Sequence, residues 1–334
     1  MYFMNLSSLH TNIYRFFLNL FFIFFFTASL YAQTEKSTLL HEKTAVSENI
    51  IYKKDGVGKD LLLDIYKPKT STGKLPVVIF LHGGAWALGD KVITPDNYIE
   101  QTILKLTEKN YAVLSVNYRL VSEDIHFPGP IEDSKDAVRW VRKNAEKYGF
   151  DSENIGFWGV SAGAHLSLLS AYTPDNEYVG DPELAKYSGK VNYVVDNFGP
   201  TDINKLLHTK APKPLLFIVG LIAEKIIDIR SKIAKGMTGY DIKTDRKKVI
   251  EFCKTISPIN YTQNTVPTLI LHGNKDKVAP IRHSKRLVKM LKKANTENEL
   301  IVVEKGDHGF KTTDKTYQNE LNDAMVNFII AHKK

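Results

Sequence analysis

The pentapeptide Gly-Val-Ser-Ala-Gly at residues 159–163 restricts the fold of this chain more than any other stretch. The apolar residues 154–158 before it predict a short strand, and the small apolar residues after it predict a helix. Gly159 and Gly163 allow strand and helix to meet in a sharp turn, because a side chain at either position would collide with the neighbouring backbone. The pattern favours an elbow that presents the hydroxyl of Ser161 above a sheet edge over an ordinary glycine-rich turn.

Apolar and alternating segments predict eight strands, separated in most cases by helical patterns. The predicted strands are 49–53, 61–66, 75–81, 111–117, 154–158, 194–198, 268–271 and 300–303. The first two form an antiparallel hairpin, and helices are expected at 96–109, at 131–148, after the elbow and at 321–332. This alternation predicts an α/β domain over 49–334, with a mostly parallel central sheet covered by helices on both faces.

Residues 202–256 leave the strand pattern. They run through an apolar stretch at 215–223 into amphipathic segments that carry several lysines. We interpret them as a helical insertion over the carboxyl edge of the sheet, which makes them a lid or a wall of a substrate site. A pair of ordinary crossover helices is the alternative.

The first 32 residues are typical of a secretory signal peptide. The run 16–26 is almost purely aromatic and aliphatic, is too short to cross a bilayer comfortably, and is followed by small residues. We expect cleavage near Ala32, a flexible lead-in over 33–48, and a periplasmic or secreted protein without stable membrane insertion. A retained membrane anchor is the alternative, whereas the absence of a cysteine near the cleavage region excludes lipid attachment there.

The formal net charge of +8 does not indicate a nucleic-acid partner. The lysines are scattered, and the densest groups are short pairs on predicted helix faces or at the terminus, which is typical of solvated surfaces. An acidic polysaccharide or another polyanionic surface is the alternative, as a weak partner. Cys253 is the only cysteine, so it has no internal disulfide partner, and we interpret it as a small apolar residue rather than a nucleophile. The sequence does not indicate an oligomeric state.

A serine hydroxyl is a poor nucleophile near neutral pH and needs a base together with a carboxylate that orients the base. His308 follows the last predicted strand, between glycines that leave its imidazole free to reach Ser161. Asp276 follows the preceding strand, and Asp202, one strand earlier, is the alternative acid. Asp307 adjoins the base and is interpreted as a loop residue. Ser161, Asp276 and His308 are the predicted catalytic residues, in the chain order expected for a hydrolase of this architecture.

The other histidines are weaker candidates for the base. His165 lies in the predicted elbow helix, His208 and His283 in other predicted helices, and His332 near the chain end. His82 and His272 follow strands and are expected to shape backbone turns.

The glycine-rich turn after the strand at 75–81 is a candidate oxyanion hole. The transition state of acyl transfer needs backbone N–H donors aimed at the carbonyl oxygen. We expect Gly84 and Ala85 to supply them together with Ala162, while Gly83 permits close approach. Trp86 is expected to pack the wall of the substrate site.

With these residues, the chain from about residue 50 onward resembles α/β-hydrolases of the carboxylesterase and hormone-sensitive-lipase-like group, in particular the bacterial feruloyl-esterase-like branch. The motifs that carry the resemblance are Leu-Asp-Ile-Tyr at 63–66, His-Gly-Gly-Ala-Trp at 82–86 with Gly-Asp-Lys at 89–91, Asn-Tyr-Arg at 117–119, Phe-Pro at 127–128 with Asp133, the elbow at 159–163, Ser-Pro at 257–258, and His-Gly at 272–273 with Asp276. The resemblance implies hydrolysis of carboxylic esters without a metal or an organic cofactor. Arg119 is expected to pair with Asp133 and fix the loop after its strand.

Ala85 departs from the pattern, since many members of this group carry a third glycine there. A methyl group leaves the N–H donor intact but narrows the oxyanion hole. We therefore expect poor acceptance of crowded carbonyls, such as those of tertiary-alcohol esters. The expected protein is an exported serine esterase acting on short acyl groups, with acetyl or feruloyl groups on carbohydrate as candidates. A prolyl-oligopeptidase-like peptidase, a small-amide hydrolase and a catalytically silent binding module remain alternatives.

Overall fold

Eight strands form one sheet in the computed structural model, which describes residues 35–212, 214–216 and 224–334. The strands are β1 (Thr44–Lys54), β2 (Asp60–Pro68), β3 (Leu75–Leu81), β4 (Ala112–Val116), β5 (Phe150–Val160), β6 (Val194–Asn197), β7 (Thr268–Gly273) and β8 (Asn298–Val303). Their order across the sheet is β1-β2-β4-β3-β5-β6-β7-β8. The pairs β1–β2 and β2–β4 are antiparallel, and all other neighbours are parallel.

Helices cover both faces of this sheet. They are α1 (Thr38–Lys43), α2 (Tyr98–Glu108), α3 (Gly129–Lys143), α4 (Ala145–Tyr148), α5 (Ala162–Tyr172), α6 (Ile203–Leu206), α7 (Glu224–Thr238), α8 (Arg246–Thr255), α9 (Arg282–Lys293) and α10 (Lys315–Ala331). Alternate residues of β3 enter two separate apolar cores, one shared with α3, α5 and α9 and the other with α2 and α10. The strand is apolar throughout because both of its faces are buried. This arrangement confirms the predicted α/β-hydrolase fold.

The predicted flexible lead-in is wrong from Thr38 onward, because α1 occupies Thr38–Lys43 and β1 begins at Thr44. The Ser37 hydroxyl caps this short helix by accepting the N–H of Leu40 at 3.0 Å, and Leu40 is fully buried. A single buried leucine among polar residues gives no periodic signal, which is why the sequence analysis missed the helix. The predicted signal peptide and its cleavage position lie outside the described residues.

Two predicted helices differ from the observed ones by more than two residues or by a break. The predicted helix at 131–148 is divided into α3 and α4 at Asn144. The closing helix begins earlier than predicted, at Lys315, because the Asp314 side chain accepts the N–H of Tyr317 at 2.9 Å and caps it.

The described part of the insertion between β6 and β7 contains helices joined by turns and loops, in agreement with the predicted helical insertion. It contains α6, α7 and α8, and most of the apolar stretch at 215–223 lies outside the described residues. In the described ranges, no helix has the combination of length and apolarity needed to cross a membrane.

Candidate active site

Ser161 occupies a sharp turn between the end of β5 and the start of α5. Its backbone angles, φ 54° and ψ −116°, lie in a region that costs an L-residue on the order of 1–3 kcal/mol. Glycines permit the turn, because a Cβ at Gly159 would overlap the backbone of Gly163, and a Cβ at Gly163 would overlap the Leu81 carbonyl. The Ser161 N–H donates to the Asn197 carbonyl at 2.9 Å, which fixes the turn to β6. The predicted elbow is therefore present.

The three predicted catalytic side chains form one hydrogen-bonded chain. The His308 Nε2 atom lies 2.9 Å from the Ser161 hydroxyl, and its Nδ1 atom lies 2.7 Å from Asp276 Oδ2. Because a carboxylate only accepts, Nδ1 carries the proton and Nε2 is left to accept the serine hydroxyl. His308 is thereby held in the tautomer that removes a proton from Ser161.

Asp276 accepts three hydrogen bonds and makes one further close contact with a histidine. Its Oδ1 atom accepts the N–H groups of Val278 at 2.8 Å and Ala279 at 3.0 Å. Its Oδ2 atom accepts from His308 and faces His272 Nε2 at 3.2 Å. Burial raises the pKa of Asp276, but the bonds and charges of His272 and His308 outweigh burial and hold its pKa well below the usual range. The carboxylate therefore stays ionised.

His272 is a second histidine on this carboxylate that the sequence analysis missed. Its Nε2 atom lies 2.6 Å from the Ala279 carbonyl, so it carries the proton, and its Nδ1 atom lies 2.6 Å from the Ser284 hydroxyl. We expected His272 only to shape a turn. The available signal was its spacing, four residues before Asp276 across a tight loop.

The two other carboxylates considered for this role lie elsewhere. Asp202 caps α6 by accepting the N–H of Lys205 at 3.0 Å and pairs with Arg286 at 3.2 Å. Asp307 accepts the N–H of Thr312 at 3.3 Å within its own loop, as predicted. Asp276 is the carboxylate that contacts His308.

The glycine-rich loop after β3 turns through three consecutive residues with positive φ, namely Gly84 at 114°, Ala85 at 50° and Trp86 at 63°. The Gly84 carbonyl accepts the N–H groups of Ala87 at 3.1 Å and Leu88 at 2.9 Å, so it is held within the loop.

The loop leaves backbone donors beside the serine. Within the described part of the chain, the N–H groups of Gly84, Ala85 and Ala162 have no acceptor. All three residues, like Gly83, line the same cavity as Ser161. Unused backbone donors beside the nucleophile are what an oxyanion hole needs, so these residues stay the predicted ones for that role.

His82 holds the glycine-rich loop after β3 through a hydrogen bond and a ring contact. Its Nδ1 atom lies 2.7 Å from the Gly83 carbonyl, and its ring stacks on Tyr118 at 4.3 Å between centroids. Burial lowers the pKa of His82 to about 4, so the ring is neutral and its Nδ1–H donates to that carbonyl. This agrees with the predicted role of His82 in shaping a turn.

Trp86 connects the loop to the elbow helix. Its indole Nε1–H donates to His165 Nδ1 at 3.1 Å, and His165 Nε2 in turn donates to the Ile256 carbonyl at 2.7 Å. Burial lowers the pKa of His165 to about 4, which keeps the ring in the neutral form that can accept from an indole. Trp86 lines the cavity, as predicted, and this bond chain fixes it there.

Other residues that the sequence analysis discussed lie outside the hydrogen-bonded chain of Ser161, His308 and Asp276. Arg119 forms a bidentate pair with Asp133, with nitrogen–oxygen distances of 2.8 Å on both carboxylate oxygens. Cys253 is fully buried, and burial raises the pKa of its thiol to about 12, which agrees with an apolar role. His208 lies in the turn after α6 rather than within a predicted helix, whereas His283 lies in α9.

A cavity of about 690 Å³ opens above Ser161 and His308. The loop after β3 lines this cavity, and Leu206, Ile229 and Ile233 from the insertion line it as well. The insertion therefore contributes to the wall of the cavity, as expected for a lid or substrate wall. Within the described ranges, no group of three or more His, Cys, Asp or Glu residues is arranged to hold a metal ion.

The sheet order, the elbow and the residues after β7 and β8 define an α/β-hydrolase with a serine at its elbow. The BD-FAE family model matches residues 63–291, more than half of the chain, so the protein belongs to the BD-FAE family. Ser161, Asp276 and the loop after β3 lie within the matched range.

The chain is also similar to curated proteins and solved structures that carry esterase names. Esterase LipC of Mycobacterium tuberculosis is 28% identical over 296 residues, which cover 87% of this chain and 66% of LipC. The chain spans about half to two thirds of the length of the first curated relatives that it matches.

Among solved structures, a truncated carbohydrate esterase from gut microbiota superposes with a TM-score of 0.65 at 25% identity, covering 90% of this chain and 99% of that one. Butyrate-bound esterase 2 of Thermogutta terrifontis shares the fold with a TM-score of 0.63 at 23% identity, covering 86% of this chain and 94% of that one.

Proposed function

We propose that the protein is an exported serine esterase that hydrolyses carboxylic esters through an acyl-enzyme. The observation that carries the proposal is the hydrogen-bonded chain from the Ser161 hydroxyl through His308 to Asp276, which opens into the cavity. Membership of the BD-FAE family and the esterase names of the relatives support the same chemistry.

The first half of the reaction transfers the acyl group to the enzyme. Ser161 Oγ attacks the ester carbonyl while His308 Nε2 takes its proton, and the charge that develops on the carbonyl oxygen is held by the N–H groups beside it. Gly84, Ala85 and Ala162 supply those groups. His308 then gives the proton to the leaving alcohol as the carbon–oxygen bond breaks, which leaves an ester on Ser161.

The second half releases the acid. A water molecule gives a proton to His308 Nε2 and attacks the acyl-enzyme carbonyl, and the same donors hold the second oxyanion. His308 returns the proton to Ser161 Oγ as the acid leaves. Asp276 stabilises the imidazolium in both halves and keeps Nδ1 as the donor.

Short acyl groups on carbohydrate are the substrates that we propose, with acetyl and feruloyl groups as candidates. The similarity to a gut carbohydrate esterase supports a sugar on the alcohol side. The apolar cavity walls suit an acyl chain or an aromatic ring. The signal-like residues 1–32 support export to the periplasm or the medium, where polysaccharide esters are found.

The test is turnover by the purified chain from Gln33 and by its Ser161→Ala variant. The substrates are nitrophenyl acetate, butyrate and decanoate, methyl ferulate, acetylated xylan and an aminoacyl-naphthylamide. We expect Ser161→Ala to lose several orders of magnitude in kcat on the esters with an unchanged circular dichroism spectrum. Ser152→Ala, at the far end of the same strand, is the control and is expected to retain full activity.

Two results would contradict the proposal. Full activity of a folded Ser161→Ala protein would exclude this mechanism, and cleavage of the naphthylamide alone would indicate a peptidase.

A further inference from the structure

Arg230 is a buried cation on the cavity wall. It lies on α7 in the insertion, lines the same cavity as Ser161 and His308, and is only 4% exposed. Its Nε atom donates to the Leu207 carbonyl at 2.6 Å, and its Nη2 atom donates to the His208 carbonyl at 3.2 Å. A guanidinium has five N–H donors in a planar fork, so within residues 35–212, 214–216 and 224–334 these two bonds leave three N–H groups unused.

No carboxylate pairs with this guanidinium in the described part of the chain, and the remaining residues contain no Asp or Glu. Buried Lys53, Lys91 and Arg139, in contrast, each form an ion pair with an aspartate. Moving a cation out of water carries a large desolvation cost, and buried cations are therefore normally paired with a carboxylate. Burial and the nearby Arg246 lower the pKa of Arg230 to about 10, which still leaves it charged at neutral pH.

The charged residues around the cavity are mostly cations. Among the described residues that line it, Arg230, Arg282 and Lys311 are cationic, and the one carboxylate, Asp96, is exposed. The same positive charges act on His208. Burial, and then the charges of Arg282, Arg230 and Lys205, lower the pKa of His208 to about 4. A cavity with low-dielectric walls and an excess of positive charge attracts anions.

We propose that this cavity binds esters that carry a carboxylate and that Arg230 is the residue that holds it. The inference rests on the proposed esterase function and names its substrate class. The carboxylate has two chemical sources. It belongs either to the acyl group, as in a hemiester of a dicarboxylic acid, or to the alcohol, as in an acetylated uronic acid.

Two pairs of substrates distinguish these sources. For the acyl side, the mono-4-nitrophenyl ester of adipic acid is compared with its methyl ester, which has the same chain without the charge. For the alcohol side, O-acetylated methyl glucuronoside is compared with O-acetylated methyl glucoside by acetate release. In at least one pair we expect the anionic member to be preferred by about 10-fold to 100-fold in kcat/KM, the range for a hydrogen bond to a charged group.

Variants show whether Arg230 causes the preference. Arg230→Gln is expected to remove most of it, and Arg230→Lys, which keeps the charge, to retain part of it. Arg246→Gln is the matched control, because Arg246 also donates to carbonyls of this turn, at 2.7 Å to Thr209, but does not line the cavity. In the unmodified protein, raising NaCl from about 0.05 M to about 0.5 M is expected to weaken the preference through screening.

Equal kcat/KM for both members of both pairs would overturn the inference. An equal preference for the anionic substrate in wild type and in a folded Arg230→Gln protein would also overturn it. So would a loss of this preference in Arg246→Gln as large as that in Arg230→Gln. If no ester shows Ser161-dependent turnover, the esterase proposal fails on its own. Calorimetric binding of adipate and methyl glucuronoside then decides the anion site. Binding that Arg230→Gln weakens supports the site, and no binding of either anion overturns it.

Discussion

Replacing Asp276 with asparagine tests how the carboxylate controls His308. The Oδ1 position accepts two backbone N–H groups, from Val278 and Ala279, so the amide oxygen of the variant must lie there. The amide nitrogen then occupies the Oδ2 position, 2.7 Å from His308 Nδ1. Because this nitrogen only donates, His308 Nδ1 must accept and its proton moves to Nε2.

A proton on Nε2 faces the Ser161 hydroxyl, so the imidazole no longer accepts the serine proton. Loss of the correct tautomer in a serine triad lowers kcat by about 10⁴-fold, or about 5.4 kcal/mol at roughly 1.36 kcal/mol per factor of ten. We expect a loss of this size in the steady-state kcat for nitrophenyl butyrate, with an unchanged fold by circular dichroism.

Two other aspartates provide matched controls for Asp276→Asn. Asp202→Asn and Asp307→Asn change carboxylates that do not contact His308, and both variants are expected to stay within about twofold of wild type. A kcat for Asp276→Asn within tenfold of wild type would refute the tautomer argument. A large loss in Asp202→Asn instead would assign the orienting role to that residue.

Two further predictions concern the loop after β3 and acid stability. Ala85→Gly removes a methyl group from a residue at φ 50°. We expect the kcat/KM for tert-butyl acetate to rise relative to that for ethyl acetate, and the free energy of unfolding to change by less than about 1 kcal/mol. An unchanged ratio of the two kcat/KM values would contradict this prediction. Burial lowers the pKa of His82 and His165 from 6.5 to about 4 in the folded state, so the unfolded chain binds more protons between these values and stability falls as pH drops through this window. Each histidine contributes on the order of 3 kcal/mol to this loss, against an opposite contribution from Asp196, whose pKa burial raises to about 7. Urea unfolding at about pH 7.5 and pH 4.5 measures the sum, and equal midpoints and slopes would contradict the expectation.

The geometry around Ser161 was predictable because each of its parts follows a strand. In a parallel sheet the carboxyl ends of the strands lie at one edge, so Asp276 after β7 and His308 after β8 come together with Ser161 after β5. The glycines at 159 and 163 mark the elbow locally, since their neighbours leave no room for a side chain.

The parts that were missed depend on contacts that no local pattern records. His272 reaches Asp276 because the loop after β7 folds back on the strand, which brings Nε2 within 3.2 Å of the carboxylate. Helix α1 depends on one cap and one buried side chain, Leu40. Arg230 was one of several basic residues in an amphipathic helix, and only the packed structure shows that its guanidinium is buried on the cavity wall.

The difference between Asp276 and Arg230 explains why they receive different roles. Both are buried ions beside the same cavity, and a buried ion is stable only when its bonding capacity is used. Asp276 accepts three hydrogen bonds from the chain and lies against His272 Nε2, so its carboxylate is held by the protein itself and serves to orient His308. Arg230 has two acceptors for five N–H groups, and the capacity that the described chain leaves unused is what a carboxylate on the substrate would satisfy.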